Sequence, residues 1–412
     1  MKILQITNNV CSEKRFTSAD GITRVITQLC HYLINEYGDT CFLGYYVDNY
    51  PNETLVLPEF ANSIQFKSQI NKKELLDFIT NNEIDVIQIN LPVSKRNASH
   101  TKIICDVAHD NDIKVVFCLH VMPKFEGKEY VTLKEVLFYL KQKKPLWPKI
   151  KNWIITETYP LSSVFFRRVF RAKNQAFYNS CDRIVVFSNS YIDGYLSVVN
   201  RKDRSKLAVI PNPLSFTDHL HKEEVAKKRK EVIIVGRLAE GQKRISIALK
   251  IWKLIERNPY LNDWRLSVVG SGKDEKYYYW LAQKYNLQRI SFEGNQDPRP
   301  YYKRASIMML TSGYEGWPMV LMEAMPMGCC CLSFDSFGAI NDIIIDGVNG
   351  RIIHENNLNE YASCLTELML NDDKRIKMGI NAIDSSQQFS MNNIGKLWKE
   401  LYVELTKNNT YV

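Results

Sequence analysis

No apolar run in this 412-residue sequence approaches the ~18–20 residues a helix needs to span a bilayer, so no transmembrane segment is expected. The opening MKILQITNNV runs straight into a strand-like stretch with neither a basic head, a long apolar centre nor a cleavage site, and no secretory leader is expected there. Ten cysteines lack a regular spacing, and Cys329, Cys330 and Cys331 are consecutive in an apolar stretch. That excludes a disulfide framework and reads as reduced thiols packed as small hydrophobes, which places the chain in the cytoplasm. No pair of histidines has metal-ligand spacing, so neither metal nor resident cofactor is expected. Short-period repeats and low-complexity tracts are absent. The first loop, TNNVCSEKRFTSADG, lacks G-x-G-x-x-G, which counts against a nicotinamide-dependent oxidoreductase.

What is present is the composition of a globular chain long enough for two domains, 45% hydrophobic and 24% charged. The net charge of +9 is concentrated: residues 121–180 hold twelve Lys/Arg against four Asp/Glu. The same span carries Trp147, Trp153 and the run Val164-Phe165-Phe166-Arg167-Arg168-Val169-Phe170, a mixture suited to peripheral contact with an anionic membrane. A solvated helix pair covering the first sheet is the plainer reading. No recognised nucleic-acid module accompanies the charge, so nucleic acid is not an expected partner.

Hydrophobic patterning predicts an α/β chain. Strands are expected at Lys2–Thr7, Cys41–Val47, Asp85–Asn90, Val115–His120, Ile184–Ser188 and Leu207–Ile210, with a helix opening at Gly21. The segment Ile210-Pro211-Asn212-Pro213 and the charged stretch His219–Lys230 break the alternation and mark a domain boundary. It then restarts with strands at Val232–Gly236, Leu266–Val269, Ile290–Phe292 and Ile307–Leu310, and helices at Ile245–Ile255, Asp274–Tyr285 and Pro300–Ala305. Three helices close the chain, at Leu358–Leu370, Asp373–Ser385 and Asn393–Leu405, the last with Ile394, Leu397, Trp398, Leu401 and Leu405 on one face. Two successive α/β sheets imply a cleft, with ligands at the carboxyl ends of the strands.

The stretch Thr311–Asp335 carries two acids eight positions apart. Glu315 lies in a loop and Glu323 in a short helix whose first position is expected at Pro318, leaving the amides of Met319, Val320 and Leu321 to face an anion. A glutamate near a helix start is ordinarily a dipole-complementing group, but Val320, Leu321, Met322, Ala324 and Met325 make the surroundings of Glu323 apolar, where a carboxylate needs a partner or ligand. Arg237 ends the first strand of the second half, and Lys243 follows just before a helix, a pair suited to a diphosphate. Gly270 and Gly272 form a GxG turn after LSVV, and Phe292, Gly294 and Asn295 belong to the next strand-end turn; each is equally at home in a plain turn. His120 closes the run VVFCL, where a structural histidine is the ordinary reading.

The segment EGWPMVLMEAMPMG, Glu315 to Gly328, resembles the E-x7-E motif of retaining glycosyltransferases of family 4 type. The resemblance extends to GRL-(x)4-K, VVGSGKD and FEGN, and is looser in the first half. Gln242 and Arg244 depart from the usual EKG, and Asp20-Gly21 stands where relatives often show two glycines. It implies a GT-B fold: two Rossmann-like, doubly wound parallel-sheet domains facing across a cleft, over 1–212 and 213–390, with the helix in 391–412 crossing back to the first. It further implies that Arg237, Lys243 and the amides after Pro318 hold the donor's diphosphate, with Gly270 and Gly272 beside the nucleotide. Phe292, Gly294 and Asn295 would meet the base and Glu323 the ribose. Glu315 with the amides of Gly316 and Trp317 would hold the sugar, His120 would touch the sugar or reaction centre, and Gly21 would lie near the acceptor or diphosphate. The expected activity is metal-independent, retaining transfer of a sugar, from a UDP-sugar above all, to a hydroxyl acceptor, including lipid-linked ones, in surface polysaccharide or lipid-linked oligosaccharide synthesis at the inner face of the plasma membrane. A GDP-sugar-dependent transferase such as a mannosyltransferase, and a non-catalytic sugar-nucleotide-binding protein, stay open as alternatives.

Overall fold

The computed structural model of the protein describes residues 1–8, 21–46, 59–66, 70–123 and 159–407, with side chains given from 168 onward in the helix Tyr159–Ser180. Of the sequence expectations, the first loop up to Asp20 and the aromatic residues Trp147 and Trp153 lie outside the described residues.

The first half pairs as seven parallel strands: β1 (Lys2–Thr7), β2 (Thr40–Tyr46), β3 (Asn62–Phe66), β4 (Val86–Asn90), β5 (Lys114–Cys118), β6 (Arg183–Val186) and β7 (Leu207–Val209), in the order β3-β2-β1-β4-β5-β6-β7. The central strands are buried on both faces, which is why they read as mostly apolar stretches. The second half repeats the design with six strands: β8 (Arg229–Val235), β9 (Arg265–Val269), β10 (Ile290–Gly294), β11 (Ala305–Leu310), β12 (Cys330–Phe334) and β13 (Gly350–Ile353), ordered β10-β9-β8-β11-β12-β13. Both sheets are doubly wound. Strand order reverses between β1 and β4 in one and between β8 and β11 in the other, and such switch points are where α/β sheets take ligands.

From Arg167 onward the chain divides into two units between Ser215 and Phe216 and again between Gln388 and Phe389. The helix Met391–Lys407 therefore belongs to the first unit, packed on the helix Gly21–Tyr37. A Cβ on Gly395 would lie 2.2 Å from Tyr32 Cδ1, so only glycine permits this approach. Lys399 Nζ reaches Asp39 Oδ1 at 2.6 Å, and Arg183 Nη2 reaches Glu404 Oε1 at the same distance. Ile394, Trp398, Leu401 and Leu405 are buried as the apolar face predicts. Leu397 is a correction, at 38% exposure, while Tyr402, one turn beyond Trp398, is fully buried.

Elements with no counterpart among the sequence expectations include β3, β13 and the helices Lys72–Asn81, Lys95–His109 and Ser190–Val199. Edge strand β3 reads NSIQF with only Phe66 buried, and helix Lys95–His109 buries Asn97, His100 and Thr101, so apolar periodicity marks neither. The helix announces itself instead by its cap, Ser94 accepting from the Asn97 amide.

In the second unit, Trp252 from the helix Ile245–Ile255 and Trp264 pack with Val232, Leu266, Ile307 and Leu332 of the sheet. The nine described cysteines are all buried and unpaired. Cys329, Cys330 and Cys331 fill the core beside β11, and burial pushes Cys330 up to about 12.

Candidate active site

The carboxyl ends of β8, β9 and β10 are laced by main-chain bonds: Gly236 N donates to Val269 O at 3.0 Å, Leu238 N to Ser271 O at 2.8 Å, and Gly270 N to Gly294 O at 2.7 Å. A Cβ on Gly270 would fall 2.0 Å from Gly236 O, which explains the glycine in this turn. Gly272 stands equally close to Leu238 O, at 2.4 Å for the same virtual atom. Three sequence-expected turns thus form one surface at the strand ends.

Lys243 ends the short helix Glu240–Lys243 that follows β8, and its Nζ meets Glu315 Oε1 at 2.6 Å. Gln242 donates to the other carboxylate oxygen at 3.1 Å and accepts from exposed Arg237 Nη2 at 3.2 Å. Arg237, Gln242, Lys243 and Glu315 therefore make one chain of contacts across the switch point, with Gly313 N bonded to Gln242 O at 2.8 Å. Glutamine at 242 serves both neighbours as a neutral group, where a glutamate would face the Glu315 carboxylate.

Arg244, the second departure from the usual pattern, takes a left-handed φ of 47°, a conformation glycine adopts at least cost. Its guanidinium bridges the loops, donating through Nε to Thr311 O and through Nη2 to Ser312 O, both at 2.9 Å. With Nη1 donating to Glu355 Oε1 and Asn356 Oδ1, both at 3.1 Å, four hydrogen bonds offset a strain of about 1–3 kcal/mol.

Glu323 is buried, 7% exposed, in the helix Met319–Ala324. Tyr302 Oη donates to its Oε2 at 2.9 Å, and burial together with that carboxylate holds the Tyr302 phenol well above its ordinary range. Sequence reading passed over Tyr302, although a tyrosine in the short helix Arg299–Arg304 opposite a buried acid is the signal to look for. The position of Pro318 is corrected. It is the N-cap, with extended backbone, rather than the first helical residue, and the Leu321 amide bonds to Pro318 O at 2.9 Å. Met319 and Val320 open the helix, while Gly316 and Trp317 precede the cap, with Trp317 buried. The Phe292 ring lies 4.4 Å from that of Tyr279 at a tilt of 40°, and Asn295 is exposed.

His120 and Gly21 belong to the first unit. Gly21 begins its helix as expected. β5 stops at Cys118, so His120 stands two residues past the strand end rather than on it. Its Nε2 lies 3.1 Å from Asn90 Oδ1, and burial depresses the imidazole pKa to about 4. Among the described residues no three His, Cys, Asp or Glu side chains converge as a metal site, and no helix is long and apolar enough to cross a membrane.

Residues 215–385 match the family model of glycosyl transferases group 1. An uncharacterized glycosyltransferase of Haemophilus influenzae is 27% identical over 224 residues, 53% of this chain and 61% of that protein. The lipopolysaccharide 1,6-galactosyltransferase of Salmonella typhimurium is 28% identical over 175 residues, 41% of this chain and 47% of that protein. The chain thus spans about half the length of the curated relatives it matches. Among solved structures, Anabaena Alr3699/HepE in complex with UDP superposes with a TM-score of 0.71 at 14% identity, covering 98% of this chain and 100% of that one. Two doubly wound parallel sheets in this order are the GT-B fold, and the likeness to the glycosyl transferases group 1 family lies in residues 215–385.

Proposed function

We propose that the protein is a retaining glycosyltransferase that moves a sugar from a nucleotide-sugar to a hydroxyl acceptor. The observation that carries this reading is the contact chain Arg237–Gln242–Lys243–Glu315 at the second unit's switch point, because it puts two cations beside a buried acid where an α/β sheet takes a phosphorylated ligand.

In the proposed reaction the bond between the anomeric carbon and the diphosphate oxygen breaks and its electron pair goes to the diphosphate. Arg237, Lys243 and the amides of Met319 and Val320 stabilise that growing charge, which is the electrostatic work an active site does best. No metal is required when cations and oriented amides supply the neutralisation. The acceptor oxygen bonds to the anomeric carbon on the face the leaving group vacates, and its proton passes to the departing diphosphate, so configuration is retained without a side-chain nucleophile. Glu323 takes the ribose hydroxyls, and Glu315 with the amides of Gly316 and Trp317 takes the sugar's. Gly270, Gly272, Phe292, Gly294 and Asn295 border the nucleotide, His120 is assigned to a hydroxyl of the substrates, and Gly21 to the acceptor-side loop.

UDP is the proposed nucleotide, in line with the UDP bound by the Anabaena structure, and a lipid-linked saccharide the proposed acceptor, in line with the Salmonella relative. The unpaired cysteines favour a reducing compartment, and the basic span 121–180 favours the inner membrane face. The test is nucleotide release from a panel of UDP- and GDP-sugars with lipid-linked acceptors. Release with one donor and a glycoside product of retained configuration supports the reading; no release with any donor sinks it.

A further inference from the structure

We propose that Asn90 is a positioning residue that holds His120 as its Nε2–H tautomer, leaving Nδ1 as the acceptor for a substrate hydroxyl. The assignment of His120 to a substrate hydroxyl rests on the transferase reading above.

Three buried amides stand on neighbouring strands of the first sheet. Gln5 of β1 and Gln88 of β4 are directly paired in register, and Asn90 lies two residues further on the same face. They close a ring: Gln5 Nε2 donates to Gln88 Oε1 at 3.2 Å, Gln88 Nε2 to Asn90 Oδ1 at 3.0 Å, and Asn90 Nδ2 to Gln5 Oε1 at 3.0 Å. Tyr402, from the C-terminal helix, donates its hydroxyl to Gln88 Oε1 and accepts from Gln5 Nε2 at 3.5 Å.

All four side chains are buried, so each unmade bond would cost about 1–3 kcal/mol. None of the amides can turn over alone without breaking the ring. Asn90 therefore shows its carbonyl oxygen, not its NH2, to His120 Nε2. A carbonyl only accepts, so Nε2 must carry the proton. Neutral imidazole has one donor and one acceptor, and Nδ1 becomes the acceptor. The ring is partly exposed and stands at 58° to Phe187, and Nδ1 has no partner among the described residues. A histidine arranged this way takes a hydrogen bond from a hydroxyl rather than giving one.

The test is nuclear magnetic resonance of the full chain with its histidine ring nitrogens isotopically labelled, near neutral pH, with His120 identified by the signals lost in His120→Gln. The expected result is a protonated Nε2 and a bare Nδ1 in the native protein, kept in Asn90→Asp, which retains an acceptor, and averaged between tautomers in Asn90→Ala. The remaining histidines report whether each variant is folded. A proton on Nδ1 in the native chain or in Asn90→Asp, the pattern a collectively reversed amide ring would give, overturns the proposal. So does an Asn90→Ala spectrum unchanged from native. UDP binding to the same samples is read by calorimetry. GDP binding is read in the same way, and a chain that shows the expected tautomer yet binds neither UDP nor GDP overturns the transferase reading and the hydroxyl assignment with it, while the positioning role stands on the ring signals.

Discussion

Lys243 Nζ and Glu315 Oε1 lie 2.6 Å apart, with side-chain exposures of 16% and 8%, so each is the main compensation for the other's removal from water. A double-mutant cycle of Lys243→Met and Glu315→Gln, read by urea unfolding, is expected to give a coupling energy of about 1–3 kcal/mol. A cycle that closes to zero would mean the pair is incidental.

Ligand binding should separate the two acids. Glu323→Ala and Lys243→Ala are each expected to weaken UDP binding roughly ten- to hundredfold in calorimetry, the scale of a charge-assisted hydrogen bond. Glu315→Ala is expected to lower turnover more than UDP affinity. Equal UDP affinity in all three variants and the native protein would overturn the assigned roles.

Two glycines at strand ends should respond differently. Gly270→Ala places a carbon 2.0 Å from Gly236 O at a φ of +135°, and a loss of more than about 3 kcal/mol is expected. Gly294 has a φ of +72° with open space around the virtual Cβ, so Gly294→Ala should cost only about 1 kcal/mol of backbone strain. Thermal unfolding of the two variants distinguishes them.

His120 makes stability depend on pH. Its folded pKa of about 4 lies below the ordinary 6.5, so between those values the unfolded chain binds the proton and the folded chain does not. Stability should therefore be fully present above the unfolded value and fall as pH drops through the folded one, by at most about 3 kcal/mol. His120→Gln should remove that part of the slope in denaturant titrations; an unchanged slope would show that His120 titrates normally.

The C-terminal helix should be needed for the first unit's stability. Trp398→Ala is expected to cost about 3–5 kcal/mol by urea unfolding, because the indole is buried against that unit. A change within 0.5 kcal/mol, the usual range of a surface substitution, would contradict that packing.

Much of this architecture was legible in the residues, for identifiable reasons. The central strands announce themselves because burial on both faces demands predominantly apolar runs, and the short helix around Glu323 because its neighbours leave the acid no other solvent. Edge strand β3 stayed hidden since an edge buries little, and the helix Lys95–His109 because Asn97, His100 and Thr101 interrupt the apolar stripe of its buried face. The Lys243–Glu315 contact joins residues 72 positions apart, which no local pattern encodes. The amide ring was hidden differently. Gln5 and Gln88 interrupt otherwise apolar strands, and only their register shows that the two interruptions meet. A lone polar residue in a central strand is the trace such a network leaves.

The buried thiols give the protein a reporter of its own opening. Cys329, Cys330 and Cys331 sit in the second unit and Cys118 and Cys181 in the first, with proton affinities raised by burial and no surface from which a reagent can approach. Alkylation at these positions must wait for the surrounding unit to unfold. Mapping the modified cysteines by peptide mass over time would time the opening of each half separately in a single unlabelled sample.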